Sequence, residues 1–441
     1  MTRRTLLPDL ATVRSLVAAC IDGRIEQGHD VTGVGHDELA AVPDSYDALL
    51  AFAELVADAP LRADWPYDEP DGTDWLPDLP ATPVTGGVST RIETAFLARV
   101  AGCILGKPFE FDPTLAELRA VLEPAGEWPL ADYVTEATNG RLRAPQGQWP
   151  ELVRERITHV CEDDDLNYTV LAMLILERHG TDFTGDDVRR LWLYQLPVLA
   201  TFGPERTQLL AAAVATLAPG AGGGDWASLL NPYDEHCGAL IRADAYGYAC
   251  PGDPSLAARL AGRDARVTHR RTGVYAAMFV AAALAEALVA DPADRLGPWE
   301  RALAVVPPRS RFAEVVRASL SEVRAASGWL DGYGRIHAWY GEHTHCRVYQ
   351  EIGTLFVTSR FADDVGHGIG LQVCQGNDTD SFGATAGSYL GALLGPDAFD
   401  RAHWLGRFDD RIHLALGTFH EQSLSALARR MAQLPSHLRA S

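Results

Sequence analysis

The sequence has no pair of cysteines at CxxC spacing. Its seven, at positions 20, 103, 161, 237, 250, 346 and 374, are odd in number and widely scattered. That excludes a zinc ribbon and argues against a disulfide scaffold, so reduced thiols and a cytoplasmic setting are expected. Basic charge is scarce too: 38 Lys and Arg stand against 59 Asp and Glu, a net charge of −21. So acidic a chain has no electrostatic reason to seek nucleic acid or an anionic membrane, although a local patch can still receive a phosphate. Long apolar runs are missing. Asp9 and Arg14 interrupt the signal-like start, and the most apolar later stretch, 275–290, contains Glu286 and is too short for a bilayer. There is no GxSxG, no P-loop and no dinucleotide fingerprint between a strand and a helix. What remains is an acidic chain of 441 residues, 47% hydrophobic, enough for one large core or two ordinary ones.

The most informative stretch is Gly376-Asn377-Asp378-Thr379-Asp380-Ser381-Phe382-Gly383, continuing to Gly395. It opens with two carboxylates one residue apart beside a hydroxyl. It then becomes a helix of small residues with glycines at 383, 387, 391 and 395, one stripe at period four. Each interior glycine costs a helix roughly 1 kcal/mol relative to alanine, so the stripe predicts the close approach of another backbone. A second stripe, Ala98, Gly102 and Gly106, lies on a helix expected over 91–106, with Thr90 and Glu93 as its capping box. The economical inference is that the two helices pack together. If they run antiparallel, Glu110, just past the first, lies near Asp378 and Asp380 at the start of the second. Acids at the mouth of a helix can equally serve to satisfy free N–H groups and the dipole, and spacing alone leaves both readings open.

A third constellation is Cys161-Glu162-Asp163-Asp164-Asp165, followed by a helical apolar pattern to about His179. Four consecutive acids repel one another by more than a helix dipole of about half a charge offsets. A bound cation resolves this, and oxygen ligands without histidine favour Mg²⁺, Mn²⁺ or Ca²⁺ over zinc; solvated surface acids are the competing explanation.

Residues 1 to about 57 show helical periodicity, with Leu10, Val13, Val17 and Ala18 on one face. From Asp58 to Gly87 prolines and acids dominate, reading as a linker or long surface loop that Trp65 and Trp75 can pin to the main body. The expected organisation is an extension plus linker over 1–86 and a main domain over 87–441.

Over roughly residues 89–425 the chain resembles the ADP-ribosylglycohydrolase family, of the dinitrogenase-reductase-activating glycohydrolase type. Gly376 to Ala384 resembles the family's G-x-D-x-D-T/S-x-G-A signature, and Gly102 to Glu110 its first-helix motif ending in a glutamate near the scissile bond. Glu162 to Asp165 resembles its Thr-Asp-Asp-Thr metal run, and Gly238-Ala239-Leu240-Ile241-Arg242 a G-A-x-x-R element near the substrate. Thr268-His269 and Trp404 to Phe408 resemble two further family motifs, in order. The resemblance implies an all-α fold, a single large orthogonal bundle of many helices around a cleft that holds two divalent cations, Mg²⁺ or Mn²⁺. It implies metal ligation by Asp378, Asp380 and Ser381 from one side and by the run Glu162, Asp163, Asp164 and Asp165 from the other, where the register selects either Asp163 and Asp164 or Asp164 and Asp165. Catalytic roles fall on Glu110, Asp164 and Asp378, and substrate contacts on Glu110, Cys237, Gly238, Ala239, Arg242 and His269.

Two departures stand out. Acids replace the threonines around the aspartate pair, and His236-Cys237 replaces a glycine-asparagine before the G-A-x-x-R element. His337, His343, His345 and Cys346 match no zinc spacing and read as packed or loop residues. Thr268 to Arg271 is a basic patch able to receive a pyrophosphate or simply to balance surface charge. The expected activity is metal-dependent hydrolysis of the glycosidic bond between ADP-ribose and a modified acceptor, the partner being an ADP-ribosylated protein. A second enzyme reading is a glycohydrolase of a small free ribosyl nucleotide or nucleoside. A reading from another class is a catalytically silent binding or structural protein on the same fold, against which the crowded acids argue.

Overall fold

The computed structural model describes residues 9–84, 86–138, 141, 149–217, 227, 229–343 and 345–440. They form the expected all-α architecture. The strands among them are a short antiparallel pair, β1 (Arg411–His413) and β2 (Glu421–Ser423), with Ile412 opposite Gln422.

Three short helices come first: α1 (Leu10–Glu26), α2 (His36–Ala41) and α3 (Tyr46–Ala57). Asp9 and Ser45 cap α1 and α3 by accepting N–H groups of the first turn. Val13, Val17, Leu39, Leu49, Phe52 and Val56 close a small core of their own, separate from the main one. The proline-rich segment that follows runs over the main body without helix or strand. Its backbone is satisfied by that body, through Asp68 N–H to Arg309 O (3.1 Å) and Thr82 N–H to Gly252 O (2.8 Å). Glu69 grips Arg311 through two oxygens, Trp65 lies under the same guanidinium at 5.6 Å, and Trp75 meets Tyr275 edge-on at 6.1 Å. Both tryptophans therefore pin the segment, as their positions suggested.

The centre of the main body is built from α4 (Val88–Gly106), α5 (Asp164–His179), α6 (Arg271–Ala287), α7 (Tyr349–Phe361) and α8 (Thr379–Leu394). α6 is buried over its whole length and α8 to Leu393, which is why neither shows an amphipathic stripe in sequence. α4 starts earlier than its capping signal predicts. Gly87, at φ 87°, precedes the first turn, and Thr90 Oγ1 donates to Gly87 O (2.7 Å) instead of capping.

α4 and α8 interlock antiparallel through their small residues. A Cβ on Gly387 would stand 2.6 Å from the carbonyl carbon of Ala98, and one on Gly391 2.7 Å from Ala95 Cα. At the other end a Cβ on Gly106 would stand 2.5 Å from the backbone nitrogen of Asp380. The glycine stripe is therefore a contact surface between two backbones, and it sets the register that brings the end of α4 to the start of α8.

Candidate functional site

Three chain segments end in one place. α4 runs into a 3-10 turn, Lys107–Phe109, that presents half-buried Glu110. α8 opens with Asp378, Asp380 and Ser381, all buried, and Thr379 Oγ1 locks that end by donating to Gly106 O (2.7 Å). α5 opens with Asp163 as its N-cap, Oδ1 accepting the N–H of Asp165 at 2.9 Å. Of the juxtaposition expected from the stripes, Glu110 with Asp378 and Asp380, the part with Asp380 is present: the charge of Glu110 acts on Asp380, and also on Asp164.

The acids fall into two electrostatic classes. Asp163 is held by Lys107 Nζ at 2.5 Å, and Asp165 by Arg99 at 3.3 Å and by the Ser381 hydroxyl at 3.1 Å. Arg99 also reaches Asp244, at 3.1 Å. Among the described residues no lysine or arginine pairs with Asp164, Asp378 or Asp380. Burial, together with the charges of Asp163 and Glu110, pushes the Asp164 carboxyl well above the ordinary range. Burial with Glu110 and Asp378 does the same to Asp380. Asp380 Oδ1 is buried with no hydrogen-bond partner. An orphaned carboxylate oxygen where acids from three segments converge is the setting that a hard divalent cation fits.

A sulfur face adjoins the carboxylates. The thiols of Cys237 and Cys346 both donate to Asp378 Oδ2, at 3.3 and 3.1 Å. Cys346 sits at φ 66°, held there by its N–H to Glu351 Oε1 (2.9 Å) and by the Cys237 N–H on its carbonyl (2.9 Å). Burial and the Asp378 charge raise the Glu351 carboxyl well above its usual value. Beside this face, burial holds the His236 imidazole down to about 4.

The residues expected to touch substrate are placed less uniformly. Arg242 is fully buried and committed: Nε to Asp264 (3.0 Å), Nη1 to Glu205 and Gly238 O (both 2.8 Å), Nη2 to Thr268 Oγ1 (2.8 Å), the plane over Trp192. Its donors are directed into the protein, where they fix the turn of Cys237–Arg242. Gly238 is wedged between Glu205 and His269, a Cβ there meeting them at 2.8 and 3.1 Å, and Ala239 is buried in the core. His269 Nδ1 bonds Thr268 Oγ1 (2.6 Å), Nε2 has no partner, and burial pushes the ring well below its ordinary pKa. The basic patch is occupied: Arg270 pairs with Asp71 (2.9 Å) and Arg271 donates to Gln27 O (3.3 Å). Glu162 is not brought into the acidic group. It lies two residues before the first helical residue and pairs with His420 at 3.3 Å, 42% exposed.

Sequence reasoning missed Lys107 and Arg99, which neutralise half of the acidic run, and Glu205, whose charge reaches Asp164. Glu351 was missed as well, and Cys346, read as a packed or loop residue, was not tied to the signature, because nothing local joins either to it. Trp404 is structural: its carbonyl accepts from Tyr133 (2.9 Å) and its ring fills the space over Gly366.

No helix among the described residues is long and apolar enough to cross a membrane. The ADP-ribosylglycohydrolase family matches residues 86–438. No curated protein matches the chain. Among solved structures, one described as an ADP-ribosylglycohydrolase-related protein complex aligns at a TM-score of 0.48 and 21% identity, covering 80% of this chain and 100% of that one. The match covers most of the sequence, and the chain belongs to the ADP-ribosylglycohydrolase family.

Proposed function

We propose that this family member is a metal-dependent hydrolase that cleaves the glycosidic bond between ADP-ribose and an arginine- or serine-type acceptor, at the acids Glu110, Asp164 and Asp380. The observation that carries the metal part is Asp380 Oδ1, buried and partnerless among acids. Charge supports it. Glu110, Asp163, Asp164, Asp165, Asp244, Asp378 and Asp380 make seven carboxylates against Lys107 and Arg99, an excess of five that two divalent cations nearly cancel. Asp164, Asp378 and Asp380 are assigned as carboxylate ligands of Mg²⁺ or Mn²⁺. Asp163 and Asp165, each tied to a protein cation, hold the mouth of α5, with Ser381 bridging to Asp165.

When bound, the cations orient the ribose diol, lower the pKa of a bound water and stabilise developing charge. The chain's own part is positional. Interlocked backbones fix Asp380 relative to Glu110. Glu110, half-buried like Asp164, orients the substrate and accepts at its Oε the proton of the attacking water. The committed Arg242 fixes the turn bearing Cys237 and Gly238, which forms the adjoining wall. Seven free cysteines fit a cytoplasmic protein. Residues 1–86 are taken as an extension of the 87–441 catalytic domain, and the signature supports the dinitrogenase-reductase-activating type.

The test is release of free ADP-ribose from ADP-ribosyl-arginine and ADP-ribosyl-serine peptides with Mg²⁺ or Mn²⁺, beside an EDTA control and Asp380→Asn. Release abolished by EDTA and lost in Asp380→Asn is expected. No release from either peptide by protein that binds Mn²⁺ would sink the substrate assignment and favour a small ribosyl nucleotide.

A further inference from the structure

We propose that Cys237, Cys346 and Asp378 form a thiophilic metal site, of zinc type, adjoining the hard-ion position at Asp164 and Asp380. The inference rests on the metal reading of the cleft and is independent of the substrate. Two thiols from segments far apart in sequence converge on a single oxygen, Asp378 Oδ2, at 3.3 and 3.1 Å. The two sulfurs and the carboxylate oxygen all lie within 4.8 Å of one another. Zinc bonds of about 2.3 Å to sulfur and 2.0–2.2 Å to oxygen at tetrahedral angles put S and O about 3.5 Å apart and two sulfurs about 3.8 Å apart. The observed sulfur–oxygen separations are within a few tenths of an ångström of that face.

The protein also holds the triangle from behind. The Cys237 N–H donates to Cys346 O at 2.9 Å, and Glu351 takes the N–H groups of Cys346 and Val348 at 2.9 and 2.8 Å. Cys346 and Val348 both keep positive φ, 66° and 72°, which neither side chain favours and which aims the Cys346 thiol at Asp378. Cys346 is half-buried as a residue while Cys237 is buried, and the fourth coordination position is taken by a solvent or substrate atom. Binding breaks two S–H bonds, forms two sulfur–metal bonds and releases two protons to solvent, with no change of oxidation state. The ion replaces the two hydrogens that now point at Asp378 Oδ2. Asp378, assigned above to the hard-ion set, then serves both positions.

The experiment is anaerobic titration of the chelator-treated full chain with Co²⁺, followed by Zn²⁺ competition against a chromophoric chelator. A near-ultraviolet thiolate-to-cobalt charge-transfer band with intense tetrahedral visible bands is expected. It should be displaced by Zn²⁺, lost in Cys237→Ser and in Cys346→Ser, and retained in Cys20→Ser, a buried cysteine of the N-terminal helices. Zn²⁺ affinity should fall in the two site variants by at least the roughly 10–100-fold that follows loss of an outer-shell partner. Circular dichroism and thermal melts of each variant separate ligand loss from misfolding. The band persisting in a folded Cys237→Ser, Cys346→Ser double variant overturns the proposal. Binding of Co²⁺ with only weak octahedral bands overturns it while sparing the hard-ion reading, and no Co²⁺ binding at all overturns both.

Discussion

Placing one methyl group at Gly106 tests the link between the helix interface and the site. An alanine Cβ there would stand 2.5 Å from Asp380 N, against the 3.4 Å at which ordinary contact begins. The backbones must therefore part by at least about 0.9 Å, several times the ±0.2 Å within which metal–ligand distances hold. Overpacking of this kind costs about 1–3 kcal/mol, offset by up to about 1 kcal/mol from alanine's better helix propensity. Gly391→Ala is the matched control. Its Cβ would stand 2.7 Å from Ala95 Cα, a comparable overlap of 0.7 Å, but eleven residues, roughly 16 Å, along α8 from Asp380. Both variants should lower Tm by a few degrees. Gly106→Ala should weaken Mn²⁺ binding, read by calorimetry, at least tenfold, whereas Gly391→Ala should stay within about threefold of the parent. Wild-type Tm and Mn²⁺ affinity in Gly106→Ala, or equal loss of affinity in the two variants, would refute the argument.

Lys107→Met should destabilise the metal-free protein by about 3–5 kcal/mol in urea unfolding, because it strands Asp163 as a buried charge. Adding Asp163→Asn should restore most of that; no recovery in the double variant would count against a direct pair. Asp380→Asn should raise the Tm of chelator-treated protein, by removing an uncompensated buried acid, while abolishing the Tm gain on adding Mn²⁺; a persisting gain would remove Asp380 from the ligand set. Burial holds the His29 imidazole down to about 4 from 6.5, with its Nδ1 against Ala59 O. Because the folded pKa is the lower one, its stabilising contribution is complete above pH 6.5 and is lost as the pH falls toward 4. After discounting for partial exposure it amounts to about 1–2 kcal/mol. His29→Asn, which keeps an N–H for Ala59, should flatten the Tm-versus-pH curve in that window, and an unchanged curve would contradict the assignment.

The packing of the two helices was legible because glycine at period four encodes a long-range contact in a local pattern, whereas their antiparallel direction was not. Gly102, Gly106, Gly383 and Gly387 predict the packing, and the meeting of Glu110 with Asp380 follows only once an antiparallel arrangement is assumed. Charge compensation was not legible. Lys107 follows Gly106 in sequence, but only the folded turn aims it at Asp163, and Arg99 reads as one more residue of a helix until it is found between Asp165 and Asp244. A run of four acids gives no sign of which side chain turns outward. The helix begins at Asp164, so Glu162 lies beyond its mouth and finds His420. Arg242 carried the motif but not its direction, because the partners that draw it inward, Glu205 and Asp264, lie on other elements. The meeting of Cys237 and Cys346 depends on a loop held at positive φ, for which the residue types give no signal.

The hydrogen bond from Thr379 to Gly106 joins residues 273 positions apart. On a ribosome adding ~5–20 residues per second, roughly 14–55 s separate the emergence of its two ends. Through that interval α4 shows an uncovered glycine face, and the nascent chain carries Glu110 and the aspartates of α5 without Asp378 or Asp380. A product released before α8 is made lacks Asp378 and Asp380, two of the three carboxylates assigned above as metal ligands. The proposed ligand set is thus completed only within about the last seventh of translation, and in the same step the exposed face is covered.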